Sequence, residues 1–520
     1  MSARYVQRLQ PMSKAVSIIR FLARGDRHAA GSRSAEGRGY ARPAARRGRF
    51  LAVSAAGLLL VLGPVAPAAP QANQEDFIAV EGPVIAIVGA RIIDGTGAPA
   101  RDNQTVIIRD GRIAEVGDSG SVRPPAGAEI VDAAGHTLIP GLIGLHNHSY
   151  YTAAGGRAAQ LSTTGPIIYL ASGVTTIRTT GARAPYEELN LKAAIDAGDR
   201  IGPRIFVTGP YLTGQRGSMS MARLNGPEDA RRIVRYWAEE GVSWFKAYTQ
   251  ISREELGAAI DEAHRNGIKV TAHLCSVTFR EAVALGIDNL EHGLFTNTDY
   301  LPDKEADQCA GIGDRYLELD VDSDEVQATF RDMVDAGIGM TSTLAVYENF
   351  VIGRPPVDQR SLDILAPEIA AAVKAENDRY VNASPDSGRG YPPEMLAKAM
   401  EYEVAFMRAG GTLASGVDPT GYGAALPGFG DQRNFELLRE ADFSPEEVVQ
   451  IMSANGARIL DIYDEVGSIE AGKLAELVLV EGDLTADPAA IKNVTIVFKD
   501  GVGYDSPRLL ESIKGRVGLH

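Results

Sequence analysis

The stretch WFKAYTQISREELGAAIDEAHRNGIKVTAH, residues 244–273, sets the fold. Trp244-Phe245-Lys246 reads as a buried strand and Glu254 to Asn266 as a helix stopped by Gly267. Lys269-Val270-Thr271 is a second strand, running into Ala272-His273. Strand, helix and strand in one short span form a βαβ unit, whose two strands lie parallel.

The same texture extends both ways. Upstream, Val174-Thr175-Thr176-Ile177 and Arg204-Ile205-Phe206-Val207 are strand-like, and Glu228 to Glu240 is helical before Trp244. Downstream, Phe279 to Leu285 precedes Ile287 to His292, and Val326 to Ala336 precedes Ile338-Gly339-Met340-Thr341. Pro393 to Ala409 then precedes Thr412-Leu413-Ala414-Ser415. About eight such units over roughly 300 residues predict an α/β fold, a (β/α)8 TIM barrel spanning 140–460. The polar stretch 346–392, with Arg354-Pro355-Pro356 and Ser384-Pro385-Asp386-Ser387, reads as a long loop: a lid, a specificity element or an exposed excursion.

Both flanks of the barrel are β-rich. Residues 77–139 hold Ile85-Ala86-Ile87-Val88, Ala90-Arg91-Ile92-Ile93-Asp94, Thr105-Val106-Ile107-Ile108 and Arg112-Ile113-Ala114-Glu115-Val116, with Asp110-Gly111 as a hairpin signal. Within 461–504, Leu474 to Val480 and Val494 to Phe498 are strand-like and Asp500-Gly501 is a second hairpin signal. A small β-sandwich domain built from both chain ends is expected, with 505–520 as a C-terminal tail.

The chain has 520 residues and a formal charge of −15, unevenly distributed. Residues 1–49 hold twelve Lys and Arg against two acids, residues 50–72 carry no charge, and from Asn73 onward 40 basic face 65 acidic residues. An acidic body argues against nucleic acid as a partner. The basic head, the apolar run Phe50 to Ala66 and the Ala/Pro-rich stretch Pro64 to Ala72 read as a signal peptide at about 46–72, with cleavage near Ala72. The expectation is export to a periplasm or the outside with no stable membrane insertion after cleavage. The alternative is an uncleaved N-terminal membrane anchor. The two cysteines, Cys275 and Cys309, could pair, but a protein of this size does not need the bond for stability. Cys275 is read as a small core residue in preference to a catalytic thiol.

Four of the chain's eight histidines end strand-like runs. His146 and His148 are two apart, so both imidazoles point one way and can share a metal ion. His273 and His292 end the next strands, and Asp418 follows Ser415-Gly416-Val417. Lys246 ends a buried strand, where a cation is costly unless it is paired or modified. It either reaches a carboxylate or, carboxylated by carbon dioxide, becomes an anionic ligand joining two cations. With His273 and His292 beyond it, the second reading is preferred. Two divalent ions would share a water, lower its pKa and polarise a carbonyl, with Asp418 binding the first ion and taking the proton. Arg178 and Arg216 are candidates for holding a substrate carboxylate.

On these residues the chain resembles the amidohydrolase superfamily, in its branch of imidazolonepropionase-like proteins and prolidase-like Xaa-Pro and Xaa-Arg dipeptidases. The resemblance runs from about Ile85 to Tyr504. It includes Gly89 to Gly97, Leu138-Ile139-Pro140-Gly141-Leu142-Ile143, Ala454-Asn455-Gly456-Ala457-Arg458 and the closing stretch Gly467 to Val480. It implies metal roles for His146, His148, Lys246, His273, His292 and Asp418, with zinc as the usual ion. It also implies that Tyr248 donates to the scissile carbonyl oxygen. Mononuclear deaminases of this fold carry a Glu three residues after the fifth-strand His and lack the bridging lysine, whereas Ser276 stands here. The loop Thr213 to Met219 lacks a His that many relatives have. The expected activity is hydrolysis of a C–N bond in a small substrate, such as a dipeptide or N-acyl amino acid, by metal-bridging hydroxide. The alternatives are a lactonase or phosphotriesterase-type hydrolase on the same site, or a non-catalytic envelope-associated binding protein. A homo-oligomer is compatible with the sequence.

Overall fold

The computed structural model describes residues 74–519. The basic head, the apolar run and the cleavage zone lie outside them.

Eight parallel strands form the barrel: Leu142–Asn147, Val174–Thr179, Arg204–Val207, Trp244–Ala247, Lys269–Ala272, Asn289–Glu291, Gly339–Ser342 and Leu413–Ser415. Each neighbours the next in sequence, and the eighth pairs back onto the first through Ser415 and Gly144. The third and fourth meet through a bridge between Thr208 and Trp244, where the Gly209 amide donates to the Trp244 carbonyl at 2.9 Å. That bridge closes the barrel. Their ends define one face, on which such folds build their sites.

The helices follow the sequence signals closely. Arg253–Arg265 starts at a capping box, in which the Ser252 hydroxyl accepts from the Glu255 amide and the Glu255 carboxylate accepts from the Ser252 amide. It buries Leu256, Ala259, Ile260 and Ala263, the i, i+3, i+4, i+7 stripe that faces the barrel. Such a cap contributes about 1 kcal/mol, while emptying one buried position, as in Ile260→Ala, costs about 2–5 kcal/mol. Packing therefore holds the helix and the cap sets where it begins.

The two chain ends build a nine-stranded sheet. Strands within 78–140 supply six members and 477–505 supply three, with His136–Pro140 and Leu477–Glu481 side by side and antiparallel at the join. Both hairpin signals form turns. Asp110-Gly111 has φ of 48° and 77°, and Asp500-Gly501 has 52° and 84°, the left-handed pair of a two-residue hairpin. The two turn tips touch, so a side chain at Gly111 or Gly501 would strike the other turn's backbone. From Pro140 the chain passes through Gly141 straight into the first barrel strand, which ties the sheet to the site.

Three expectations need correction. The 346–392 stretch is not a loop: it contains helices Gln359–Ile364 and Pro367–Val381, after the short helix Leu344–Glu348. Its polarity misled because Pro367–Val381 buries only Ile369, Val373 and Asn377 and shows its charges to solvent. The 505–520 tail contains helix Ser506–Ile513, which buries Leu509 and Ile513. Cys275 is not a free core residue. It is bonded to Cys309, with the two Cα atoms 4.7 Å apart, and this ties the excursion after the sixth strand to the end of the fifth. Among the described residues no helix is long and apolar enough to cross a membrane.

Candidate metal centre

His146 lies within the first barrel strand and His148 just beyond its end. Gly416, after the eighth strand, abuts the His146 backbone so closely that a Cβ would overlap it. That approach lets the Asp418 amide donate to the His146 carbonyl at 2.7 Å, which brings the Asp418 carboxylate over the first strand. Its Oδ1 lies 3.2 Å from His148 Nε2, and its Oδ2 lies 3.6 Å from His146 Nε2 and 3.9 Å from His292 Nε2. Asp418 (φ 46°) and His292 (φ 69°) both adopt left-handed backbone, a costly conformation for residues with a Cβ and one that clusters at functional sites.

Lys246 ends in the same space. Its Nζ is 2.9 Å from His146 Nε2, and its side chain is fully buried. The His273 and His292 rings are 4.4 Å apart, as are those of His146 and His292. Tyr248 stands 4.7 Å from the His273 ring. The structure thus brings together His146, His148, Lys246, His273, His292, Asp418 and Tyr248, from five strand ends.

The donor set fits divalent cations. The ligand atoms of His146, His148 and Asp418 lie within 4.8 Å of one another. Buried His292 Nε2, turned toward Asp418, has no hydrogen-bond partner, while His292 Nδ1 is held by the Thr343 hydroxyl at 2.7 Å. A buried imidazole nitrogen left open while its opposite nitrogen is anchored is poised for a metal. Burial pulls His148 down to about 4 and His273 to about 3, and lowers His146 and His292 as well. Burial opposes charge on Asp418, but the surrounding His146, His148 and His292 hold its carboxyl well below the usual range. Neutral imidazoles beside an ionised carboxylate are the protonation state that metal binding requires. Burial also draws Lys246 down to about 8, which brings its neutral amine within easier reach near neutrality than that of an exposed lysine.

Glu291 is the residue that the sequence reading missed. It is fully buried, accepts from His146 Nδ1 at 2.7 Å, and takes further hydrogen bonds from Arg178, Thr271 and Asn289. Burial works against its charge, yet Arg178, His146 and Lys246 outweigh that and hold it ionised. Its strand, Asn289-Leu290-Glu291, is fully buried, and a buried carboxylate demands a partner, but nothing in the sequence names that partner.

Arg178 stands elsewhere than expected. It is fully buried, donates to Glu291 and to the Leu145 carbonyl (2.8 Å), and lies 4.5 Å from the Trp244 ring centroid. Its guanidinium holds the protein together and faces no open space for a substrate carboxylate. Arg216 is exposed and donates to the Asp307 carbonyl at 3.3 Å, outside the cluster. Ser276 is buried and donates to the Ile251 carbonyl. A cavity of about 250 Å3 lined by Glu348, Arg354 and Arg433 shares no residue with the cluster.

The chain matches the amidohydrolase family over residues 137–306 and 423–503. It carries the amidohydrolase family domain. His146, His148, Lys246, His273 and His292 all lie within the matched residues, and Asp418 falls in the interval between the two stretches. A dihydroorotase of Leifsonia xyli subsp. xyli (strain CTCB07) is 24% identical over 485 residues, which is 83% of this chain and 93% of the relative. Among solved structures, a candidate prolidase from Bifidobacterium longum superposes with a TM-score of 0.59 at 26% identity, covering 83% of this chain and 98% of the other. A Xaa-Pro dipeptidase with bound methionine in its active site gives 0.60 at 19% identity, covering 81% and 100%. The amidohydrolase barrel and its prolidase-like neighbours agree with the architecture, and the His–His–Asp cluster sits where such a barrel builds its site.

Proposed function

We propose that this chain is a metal-dependent amidohydrolase that cleaves the C–N bond of a small substrate, a dipeptide or an N-acyl amino acid, with two divalent ions, zinc by preference. The observation that carries the proposal is Lys246: a fully buried amine 2.9 Å from His146 Nε2, among three further imidazoles and a carboxylate. An amine shifted toward neutrality can take up carbon dioxide as a carbamate, which adds a second anionic ligand. His146, His148 and Asp418 would hold one ion, His273 and His292 the other, and carboxylated Lys246 both. When bound, the ions supply an activated water and polarise the substrate carbonyl.

The chain's own groups do the rest. Asp418, held ionised, accepts the proton of the attacking water and passes it to the leaving amine. Burial pushes the Tyr248 phenol up to about 12, so it keeps its proton and can donate to the developing oxyanion. Ser276, where a deaminase would place an acid, favours hydrolysis over deamination. The Cys275–Cys309 bond supports residence in an oxidising compartment, in line with an export signal at about 46–72.

The test is metal content per chain, purified without chelator and with bicarbonate, for the unaltered protein and Lys246→Ala, followed by a substrate panel. About two ions per chain, falling sharply in the variant, with turnover of dipeptides or N-acyl amino acids, supports the proposal. One ion unaffected by losing Lys246, or turnover of lactones or phosphotriesters alone, overturns it.

A further inference from the structure

After the second barrel strand the chain runs through Ala182 to Arg183. Ala182 pairs with Pro210 of the following loop, and its amide donates to the Gly209 carbonyl at 3.1 Å, so the backbone here is anchored. The Arg183 side chain is exposed. Its guanidinium carbon lies 4.7 Å from the centroid of the Tyr150 ring. Tyr150 in turn stacks on His148, with ring centroids 4.5 Å apart and planes inclined by 24°, and its hydroxyl meets that of Tyr211. The His148–Tyr150–Arg183 stack leads from the ligand cluster to solvent and places the guanidinium carbon within about 9 Å of the His148 ring centroid.

Arg183 forms no ion pair and no hydrogen bond among the described residues, which sets it apart from the other arginines considered for this role. Arg178 is committed to Glu291, and Arg216 to the Asp307 carbonyl. An aromatic face holds a guanidinium in place without using its N–H donors, so all five remain available in the plane of the group. Tyr211, whose hydroxyl meets that of Tyr150, packs edge-on against Tyr248 with ring centroids 5.3 Å apart. Arg183 therefore sits on the Tyr248 side of the cluster as a fixed cation with free donors.

We propose that Arg183 recognises a carboxylate on the substrate, which restricts the enzyme to amides of amino acids with a free acid group. This rests on the C–N hydrolase reading above. The spacing suits it: in a dipeptide or N-acyl amino acid the scissile carbonyl carbon and the free carboxyl carbon are roughly 4 Å apart. A bidentate arginine–carboxylate pair adds about another 4 Å from carbon to carbon. A planar, two-pronged donor prefers a carboxylate to a neutral amide, because only the carboxylate accepts at both prongs.

The experiment compares N-acetyl-L-leucine with N-acetyl-L-leucinamide, which share the scissile bond and differ in the acid. Steady-state turnover and calorimetric binding would be measured on the metal-loaded full chain and on Arg183→Gln and Arg183→Lys, with melting curves confirming that the variants fold. The unaltered enzyme is expected to favour the acid by about 100-fold in kcat/KM. Arg183→Gln should collapse that ratio toward one, chiefly through KM, and Arg183→Lys should restore part of it. Failure of the hydrolytic reading is separable: if neither compound turns over but the acid binds, the amide does not, and Arg183→Gln abolishes the difference, the carboxylate site stands. Equal losses on both compounds in Arg183→Gln, or no preference for the acid in either turnover or binding, overturns the inference.

Discussion

His146 donates its Nδ1 proton to Glu291 across 2.7 Å, and solvent reaches neither side chain. This hydrogen bond selects the imidazole tautomer with a bare Nε2, the atom that faces Lys246 and Asp418. Glu291→Gln keeps the shape but removes the charge that orients and polarises the ring. A loss of about 10- to 100-fold in metal affinity is expected, measured by competition with a chelator of known affinity. Unchanged affinity would show that Glu291 serves packing alone.

The other side of Glu291 is Arg178, equally buried. Removing one partner of a buried ion pair leaves the other charge without compensation. Arg178→Met should therefore cost about 3–5 kcal/mol of stability, read as a shift in the denaturant midpoint of the metal-free protein. Exposed Arg216→Ala should stay within about 0.5 kcal/mol.

Glu188 is fully buried and pairs with no cation among the described residues. Burial pushes its carboxyl up to about 8, only partly offset by Thr179. With the folded-state value above the unfolded one, the folded chain binds the extra proton between about pH 4.5 and 8, so stability falls as pH rises through that window. Glu188→Gln mimics the protonated acid. It should match the unaltered protein near pH 4.5 and exceed it near pH 8 by up to a few kcal/mol. Parallel stability curves for the two proteins from pH 5 to 8 would refute this.

Cys275 lies two residues beyond His273, and Cys309 holds it from the excursion after the sixth strand, which Arg253 also grips through Asp307. The bond closes a segment with a sequence separation of 34 residues. A loop of that length corresponds to about 3–4 kcal/mol in the chain-entropy account. Cys309→Ser, compared with the unaltered protein by thermal melts with and without reductant, should melt lower and lose its sensitivity to reductant.

Much of this was legible in the sequence because barrel chemistry sits where strands end. His146, Lys246, His273, His292 and Asp418 each lie at or near the end of a short strand-like run, and a ligand at such an end needs no long-range information to be recognised. Glu291 was not legible, because its partners His146 and Arg178 are far away in the chain and a lone Glu beside a His suggests no hydrogen bond. Arg178 was misplaced for the converse reason. Its strand-end position matches that of a ligand, but its side chain turns into the barrel toward Trp244 and Glu291. The 346–392 helices were hidden because a helix that buries one narrow edge leaves a weak apolar period.

The nine-stranded sheet carries one further consequence. Thr137 donates its hydroxyl hydrogen to the Gly482 carbonyl, 345 residues along the chain. A ribosome delivers the strands of residues 78–140 before the barrel and those of 477–505 after it. Throughout the synthesis of the barrel, the early strands expose a backbone edge whose partners do not yet exist, the kind of edge that recruits other chains. A nascent chain stalled before Leu477 would leave His136–Pro140 paired with Val84–Ile92 on one side and open on the other. Productive folding therefore depends on keeping that edge unoccupied until residues 477–505 have emerged.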